Sequence, residues 1–253
     1  MRALMTGDIR QNNALSSRYQ EIQRLGQDAN VTQAYALQEI YRQIEMDCSE
    51  SAIPFGLEFA RAQKLVLSWS AGVAWLQWDA GRMADARDSM EQFEYSRVES
   101  LFRESGGGVG IAALAEVTAS LGKREHRDVF YQRIAPLKNR FAAAGYGVLY
   151  FGSFARYSGL LADSLGMYPE AIRDLRQAIR AESTIGARIW QGHSEIDLTA
   201  ILQRSGTSRQ EVSAALAAAR RTVKLTNSPR LARRLLAVAD AFDSEDSNHP
   251  NSI

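Results

Sequence analysis

Apolar and polar positions alternate along this chain with the period of an α-helix. Ala86, Met90 and Phe93 stand at i, i+4 and i+7, and Ala171, Leu175 and Ala178 repeat that spacing. Each set lies on one face of a helix. The opposite faces carry Asp85, Arg87 and Asp88, or Glu170, Arg173, Asp174 and Arg176, and are expected to meet water. Four segments share one plan of apolar helix, glycine and second helix: 75–93, 115–134, 159–179 and 199–219. Their turn glycines, Gly81, Gly122, Gly166 and Gly206, are 41, 44 and 40 residues apart. Each is expected to end a helix in the left-handed conformation that costs little only without a Cβ. Ala86 and Ala171, five residues after their glycines, let the paired helices come close. Gly7 marks an earlier turn, and the spacing places further helices over 31–46 and 54–67.

This periodicity predicts an all-α solenoid of five to six antiparallel helix pairs spanning residues 1–242, in which each pair buries its apolar face against the next. SGGGVG (105–110) and AGYG (144–147) read as loops between pairs. From residue 243 the composition turns polar and acidic without periodicity, so 243–253 is expected to be a disordered acidic tail. Only six residues precede Gly7. The first pair therefore lacks most of a leading helix, and its open face is expected to be covered by the rest of a longer protein or by a second copy, a homo-oligomer through the N-terminal repeat.

Composition narrows the class. At 253 residues and 45% hydrophobic the chain can bury a sizeable core. Runs rich in Val, Ile and Thr are missing, which disfavours strands. Thirty Lys and Arg balance 29 Asp and Glu, so any nucleic-acid site would have to be local. The absence of a secretory apolar segment and of an uncharged stretch of about 20 residues points to a cytoplasmic chain without membrane contact. A single cysteine, Cys48, excludes an intrachain disulfide and a multi-thiolate zinc site.

The glycine turns resemble the tetratricopeptide repeat. Gly159, Gly166, Tyr168, Ala171, Leu175 and Ala178 match that pattern at every position, Ala74, Gly81, Met83, Ala86, Met90 and Phe93 match well, and Ala115, Gly122, Arg124, Arg127, Tyr131 and Ile134 match less closely. The order ARYSGLLADSLGMYPEAIRDLRQAI, IGARIW, DLTAIL and ALAAARRTVKLTNSPRLARRL is similar to the C-terminal helical-repeat region of large bacterial signalling ATPases, of the transcriptional activator or class III nucleotide cyclase type. No G-x-x-x-x-G-K-[ST] phosphate loop accompanies it. The resemblance implies a non-catalytic binding module in signalling or transcriptional regulation, with no cofactor, whose partner is a protein, a peptide or a small acidic ligand.

In tetratricopeptide arrays the first helices line a concave groove. Carried onto this sequence, those positions are Ser68, Ala71, Trp75, Trp78 and Asp79; Ser153, Arg156, Leu160, Asp163 and Ser164; and His193, Ile196, Ala200, Gln203 and Arg204. The candidate ligand-binding residues are Trp75, Trp78, Arg156, Asp163, His193 and Arg204: the tryptophans as apolar anchors, the arginines as partners for carboxylates. A shift of one position would instead turn both tryptophans into the core. Two further readings compete. Residues 201–234 hold eight basic side chains against one acid, a local cluster (Arg204 to Arg234) that could contact nucleic acid unless the acids from 240 onward fold back over it. An enzyme assembled from scattered residues is the other. The glycine run 106–110 lacks the strand and the Gly-Lys of a phosphate loop, His126, His193 and His249 do not cluster in sequence with each other or with Cys48, and no G-x-S-x-G elbow occurs.

Overall fold

A computed structural model describes residues 2–23, 29–92 and 98–247. Among them are fourteen α-helices: α1 (Arg2–Thr6), α2 (Ile9–Gln23), α3 (Ala29–Glu45), α4 (Ser49–Ala62), α5 (Leu67–Asp79), α6 (Met83–Gln92), α7 (Val98–Leu101), α8 (Gly107–Leu121), α9 (Arg124–Ile134), α10 (Phe154–Ser164), α11 (Tyr168–Thr184), α12 (Arg188–Arg204), α13 (Arg209–Lys224) and α14 (Pro229–Ser247). The fold is all-α. Its one departure is a hairpin between α9 and α10, in which β1 (Phe141–Ala144) runs antiparallel to β2 (Leu149–Ser153).

Helix pairs follow the apolar pattern. Ala86, Met90, Ala171, Leu175 and Ala178 are all buried, while Phe93 lies outside the described residues. Asp174 departs from its expected solvated face: it is fully buried, accepting hydrogen bonds from Ser158 Oγ at 2.8 Å and Lys138 Nζ at 3.2 Å. Gly7, Gly81, Gly166 and Gly206 adopt positive φ as expected, and Gly186, which the repeat spacing does not single out, does the same after α11. Gly122 does not; its φ is −70° and the chain leaves α8 extended. A Cβ there would sit 2.6 Å from the Thr118 carbonyl oxygen, so close approach to its own backbone accounts for the glycine.

Other expectations are corrected. Pro54 lies inside α4, which opens earlier, at Ser49. The glycines at 107–110 are not a loop but the first turn of α8. They allow contact of backbones: a Cβ on Gly108 would come within 2.9 Å of the Ala143 carbonyl in β1, and one on Gly110 within 3.0 Å of Ser68 Cα in α5. Of residues 144–147, Ala144 ends β1 and Gly145–Gly147 form a short 3-10 turn of the hairpin. The final helix runs to Ser247, so 243–247 of the expected tail are helical; 248–253 lie outside the described residues.

The two ends of the chain meet. α1 packs against α12, Leu4 is buried in the same core as Leu231, and Gly7 sits against Thr226. Ser228 Oγ donates to Glu45, and Arg233 pairs with Asp47 at 2.8 Å. The chain's own C-terminal helices thus cover part of the N-terminal face. Ala14 and Leu15 on α2 stay exposed, and the side chains of Tyr19 and Ile22 lie outside the described residues. Among the described residues no helix is long and apolar enough to cross a membrane.

Candidate functional site

Two compartments adjoin in the interior, one lined with charges and one nearly without polar groups. The indole of Trp75 belongs to both.

The charged compartment is built from helices distant in sequence. Arg156, on α10, is 1% exposed. Its guanidinium donates to Glu116 of α8 through Nη2 at 2.6 Å and Nη1 at 3.2 Å, and to Asp197 of α12 through Nε at 2.7 Å. Trp75 Nε1 of α5 donates to the same Glu116 carboxylate at 2.9 Å. From α14, Arg234 reaches Asp197 at 2.6 Å, and Arg230 reaches Asp79 at 2.7 Å and Glu45 at 3.3 Å. Arg230 also lies 5.0 Å over the Trp75 ring. His193 sits among these groups, its Nε2 3.2 Å from Glu45 Oε1 and 2.8 Å from Arg230 Nη1, with Arg234 on Nδ1. Both ring nitrogens thus face guanidinium donors, Nδ1 that of Arg234 and Nε2 that of Arg230, and Nε2 also faces the Glu45 carboxylate.

Electrostatics follow from burial and pairing. Burial opposes ionisation of Glu116, but the charge and hydrogen bonds of Arg156, followed by Arg234 and Arg230, outweigh it and hold the carboxyl well below the usual range. His193 is pushed far below its ordinary value by burial and by the charges of Arg230, Arg234 and Arg156, so it is neutral. In the hydrogen-bonded interior, the arginines and carboxylates satisfy one another; removing either partner exposes the full cost of a lone buried charge.

Beside this network, Glu182 of α11 accepts from Ser153 N at 3.0 Å and Ser194 Oγ at 2.7 Å, with no direct cationic partner among the described residues. Burial pushes its pKa up to about 7, although both hydrogen bonds pull it down. Native protein therefore retains a proton that the unfolded chain loses above its ordinary pKa near 4.5. Stability from this group is present at low pH and falls as the pH rises from about 4.5 through 7. Glu182→Gln preserves both contacts without a charge. It is expected to gain on the order of 3 kcal/mol over the parent at pH 8 and almost nothing at pH 4.5. Urea unfolding at the two pH values measures this; equal differences at both would contradict the assignment.

The second compartment is a cavity of about 460 Å³ bounded by α3, α4, α5, α8 and the hairpin. Its walls include Tyr41, Trp69, Trp75 and Phe151, with Ile40, Ile44, Val73 and Leu76 between them. Among the described lining residues the only polar side chains besides Tyr and Trp are Ser68 and Ser105. Ser105 is exposed and marks where the cavity meets solvent. Glu104 anchors this end by accepting from the first amides of α5, Leu67 N at 2.8 Å and Ser68 N at 2.9 Å, a charged cap on a helix N-terminus.

The six residues expected in a groove separate into three groups. Trp75, Arg156 and His193 come together, but buried at 2%, 1% and 0% exposure rather than along an open groove. Arg156 already has two protein carboxylates, so it cannot take an acidic ligand without breaking them. Asp163 and Arg204 pair with each other at 2.7 Å, away from the network and with Arg204 exposed. Trp78 is half-buried and donates to Ser120 Oγ at 2.9 Å. The basic cluster is likewise largely engaged: Arg230, Arg233 and Arg234 face carboxylates of α3, the turn after it, α5 and α12, and Arg209 lies over the Phe242 ring. Arg220, Arg221 and Lys224 are exposed on α13.

Glu45, Glu116, Asp197 and Gly72 are functional candidates that the sequence pattern did not select, while Asp79 was placed in the groove and Arg230 and Arg234 in the basic cluster rather than in this network. A signal existed for Glu116: it is the lone charge on an otherwise apolar helix, GGVGIAALAEVTASL, where a buried acid demands a partner. Among the described residues, no group of His, Cys, Asp and Glu has an arrangement that could hold a metal ion. No family model matches the chain, and neither a curated protein nor a solved structure does.

Proposed function

We propose that this protein is a non-catalytic binding module, a tetratricopeptide-like solenoid acting in the cytoplasm in bacterial signalling or transcriptional regulation, and that it takes a small ligand into the apolar cavity. The observation that carries this reading is Gly72. It lies in the middle of α5, where glycine costs about 1 kcal/mol relative to alanine. Packing against the described residues gives no reason for it, because outside its own stretch of helix none of their atoms lies within 4 Å of where its Cβ would be. By contrast Gly159, at the closest approach of α10 and α11, would place a Cβ 2.9 Å from Leu175. Gly72 borders the cavity, so the missing side chain keeps that space open. A volume of this size falls within the range of small-molecule sites, and an interior packed like a crystal does not leave such space without cost.

Catalysis has less support, since the interior arginines are matched to carboxylates and Glu182 is occupied by Ser153 N and Ser194 Oγ. The nucleic-acid reading retains only the exposed Arg220, Arg221 and Lys224. Leu15, 52% exposed on α2, is surface available to a protein partner or second copy.

Titration with N-phenyl-1-naphthylamine, an uncharged dye that brightens on leaving water, tests the reading. The parent protein should show saturable binding of one dye per chain. Gly72→Phe, which places a ring at a position bordering the cavity where an added Cβ meets no described neighbour outside its own helix, should abolish it while its circular dichroism and melting temperature remain close to those of the parent. Undiminished uptake by a folded Gly72→Phe, or no saturable uptake by the parent, would overturn the proposal.

A further inference from the structure

We infer that the ligand of this cavity is an uncharged molecule carrying an aromatic ring and at most one or two hydrogen-bonding groups, held ring-inward with its polar end toward Ser68 and Ser105. This inference rests on the cavity being a binding site, as proposed above, and specifies what enters it.

Charge is the first discriminator. None of the described lining residues is Asp, Glu, Lys, Arg or His. A carboxylate or ammonium entering this space would lose its hydration and find no counter-ion among the described lining residues, which disfavours it strongly. The nearby guanidinium groups do not remedy this. Arg156 is bound to Glu116 and Asp197, and Arg230 to Asp79 and Glu45, with Arg230 lying over the Trp75 ring. Trp75 and Tyr41 line the cavity, while Trp75 Nε1 serves Glu116 and the Tyr41 hydroxyl feels the charges of Glu45 and Arg230. Trp75 thus offers ring surface to the ligand and spends its N–H on the charged compartment, whereas the Tyr41 hydroxyl is buried without a hydrogen-bond partner among the described residues.

Aromatic character is the second. Trp75 and Phe151 meet edge to face at 5.2 Å and 75°, and Tyr41 meets Phe151 at 6.2 Å and 63°. Faces and edges are therefore both presented along the walls, and a planar ring can make the offset or T-shaped contacts that stabilise aromatic pairs beyond area burial. Trp69, stacked on Phe59 at 4.7 Å and 21°, is braced from behind and supplies a further rigid wall. An aliphatic chain would fill the volume but forgo those contacts.

The polar end follows from the mouth. The Ser68 hydroxyl donates to Glu104, which leaves its oxygen free to accept, and Ser105 at the solvent edge can donate or accept. Together they suit one phenolic hydroxyl or carbonyl, and the unpaired hydroxyl of Tyr41, itself a lining residue, is the one group among the described lining residues that calls for a second.

Displacement of bound N-phenyl-1-naphthylamine by three competitors of similar size separates the claims at neutral pH: 2-naphthol, uncharged and aromatic; 2-naphthoate, aromatic and anionic; and 1-decanol, uncharged and aliphatic. Half-displacement by 2-naphthol is expected at a concentration at least about tenfold below that for either of the others, one 1.4 kcal/mol step in affinity. Displacement by 2-naphthoate at an equal or lower concentration would overturn the exclusion of charge, and by 1-decanol the aromatic preference. In both cases the cavity would still bind, so the earlier proposal would stand. Absence of dye uptake by the parent protein would instead strike that proposal and this inference with it. The order of preference must also vanish in Gly72→Phe; persistence there would place the competitors elsewhere and overturn the assignment.

Discussion

Replacing Arg156 by methionine is expected to destabilise the protein by about 3–5 kcal/mol near neutral pH, the cost of leaving a buried charge without its partner. The side chain itself is well matched in volume, so the loss comes from Glu116, 3% exposed, which keeps only the Trp75 indole N–H after the change. Asp197 suffers less because Arg234 still reaches it at 2.6 Å. The pH dependence has a definite sign. In the parent, Glu116 is held below its unfolded pKa, so its contribution is present above that value and is lost as the pH falls toward the folded one. Without Arg156, burial dominates and the carboxyl takes up a proton. The deficit of Arg156→Met should therefore shrink between pH 7.5 and 5, and adding Glu116→Gln should recover much of it. Urea unfolding of the single and double variants measures both effects. A deficit below about 1 kcal/mol, unchanged with pH, would mean that the charged compartment is open to water.

Trp75→Ala is expected to lose at least as much, about 3–5 kcal/mol for truncating a buried aromatic, because it empties space beside the existing cavity and strips Glu116 of a donor. It also removes the ring over which Arg230 lies. Trp78→Ala, three residues on but half-buried, should lose only about 1 kcal/mol, since its hydrogen bond to Ser120 is near solvent. Melting curves of the two variants separate a core tryptophan from a surface one. Small and equal losses would restore the groove placement of both side chains, and large equal losses would bury Trp78 as well.

The helices and their buried faces were legible because a 3.6-residue period and turn glycines act locally: Ala171, Leu175 and Ala178 are buried where their spacing puts them. The hairpin was not. FAAAGYGVLYFGS offers no period of two long enough to register, and β2 is buried at all five positions, so polar alternation is missing. The glycine run 107–110 looked like a loop because composition cannot distinguish flexibility from the need for backbones to touch. The site was visible as residues but not as geometry. Trp75, Arg156 and His193 stand on three different helices, and their acids, Glu116, Asp197 and Glu45, become partners only through packing between elements about 40 to 148 residues apart. Gly72 carried no sequence signal at all. A mid-helix glycine is ordinary until the space around it is seen to be empty.

The cavity is the centre of this account, and locating a ligand in it is the most direct test. Crystals of the protein soaked or grown with 6-bromo-2-naphthol would report the bromine by anomalous scattering. One strong peak is expected per chain, inside the volume bordered by Gly72, Trp69, Trp75 and Phe151, with the hydroxyl end toward Ser68 and Ser105. A cavity closed by its own side chains, with the bromine absent or confined to the outer surface, would contradict it.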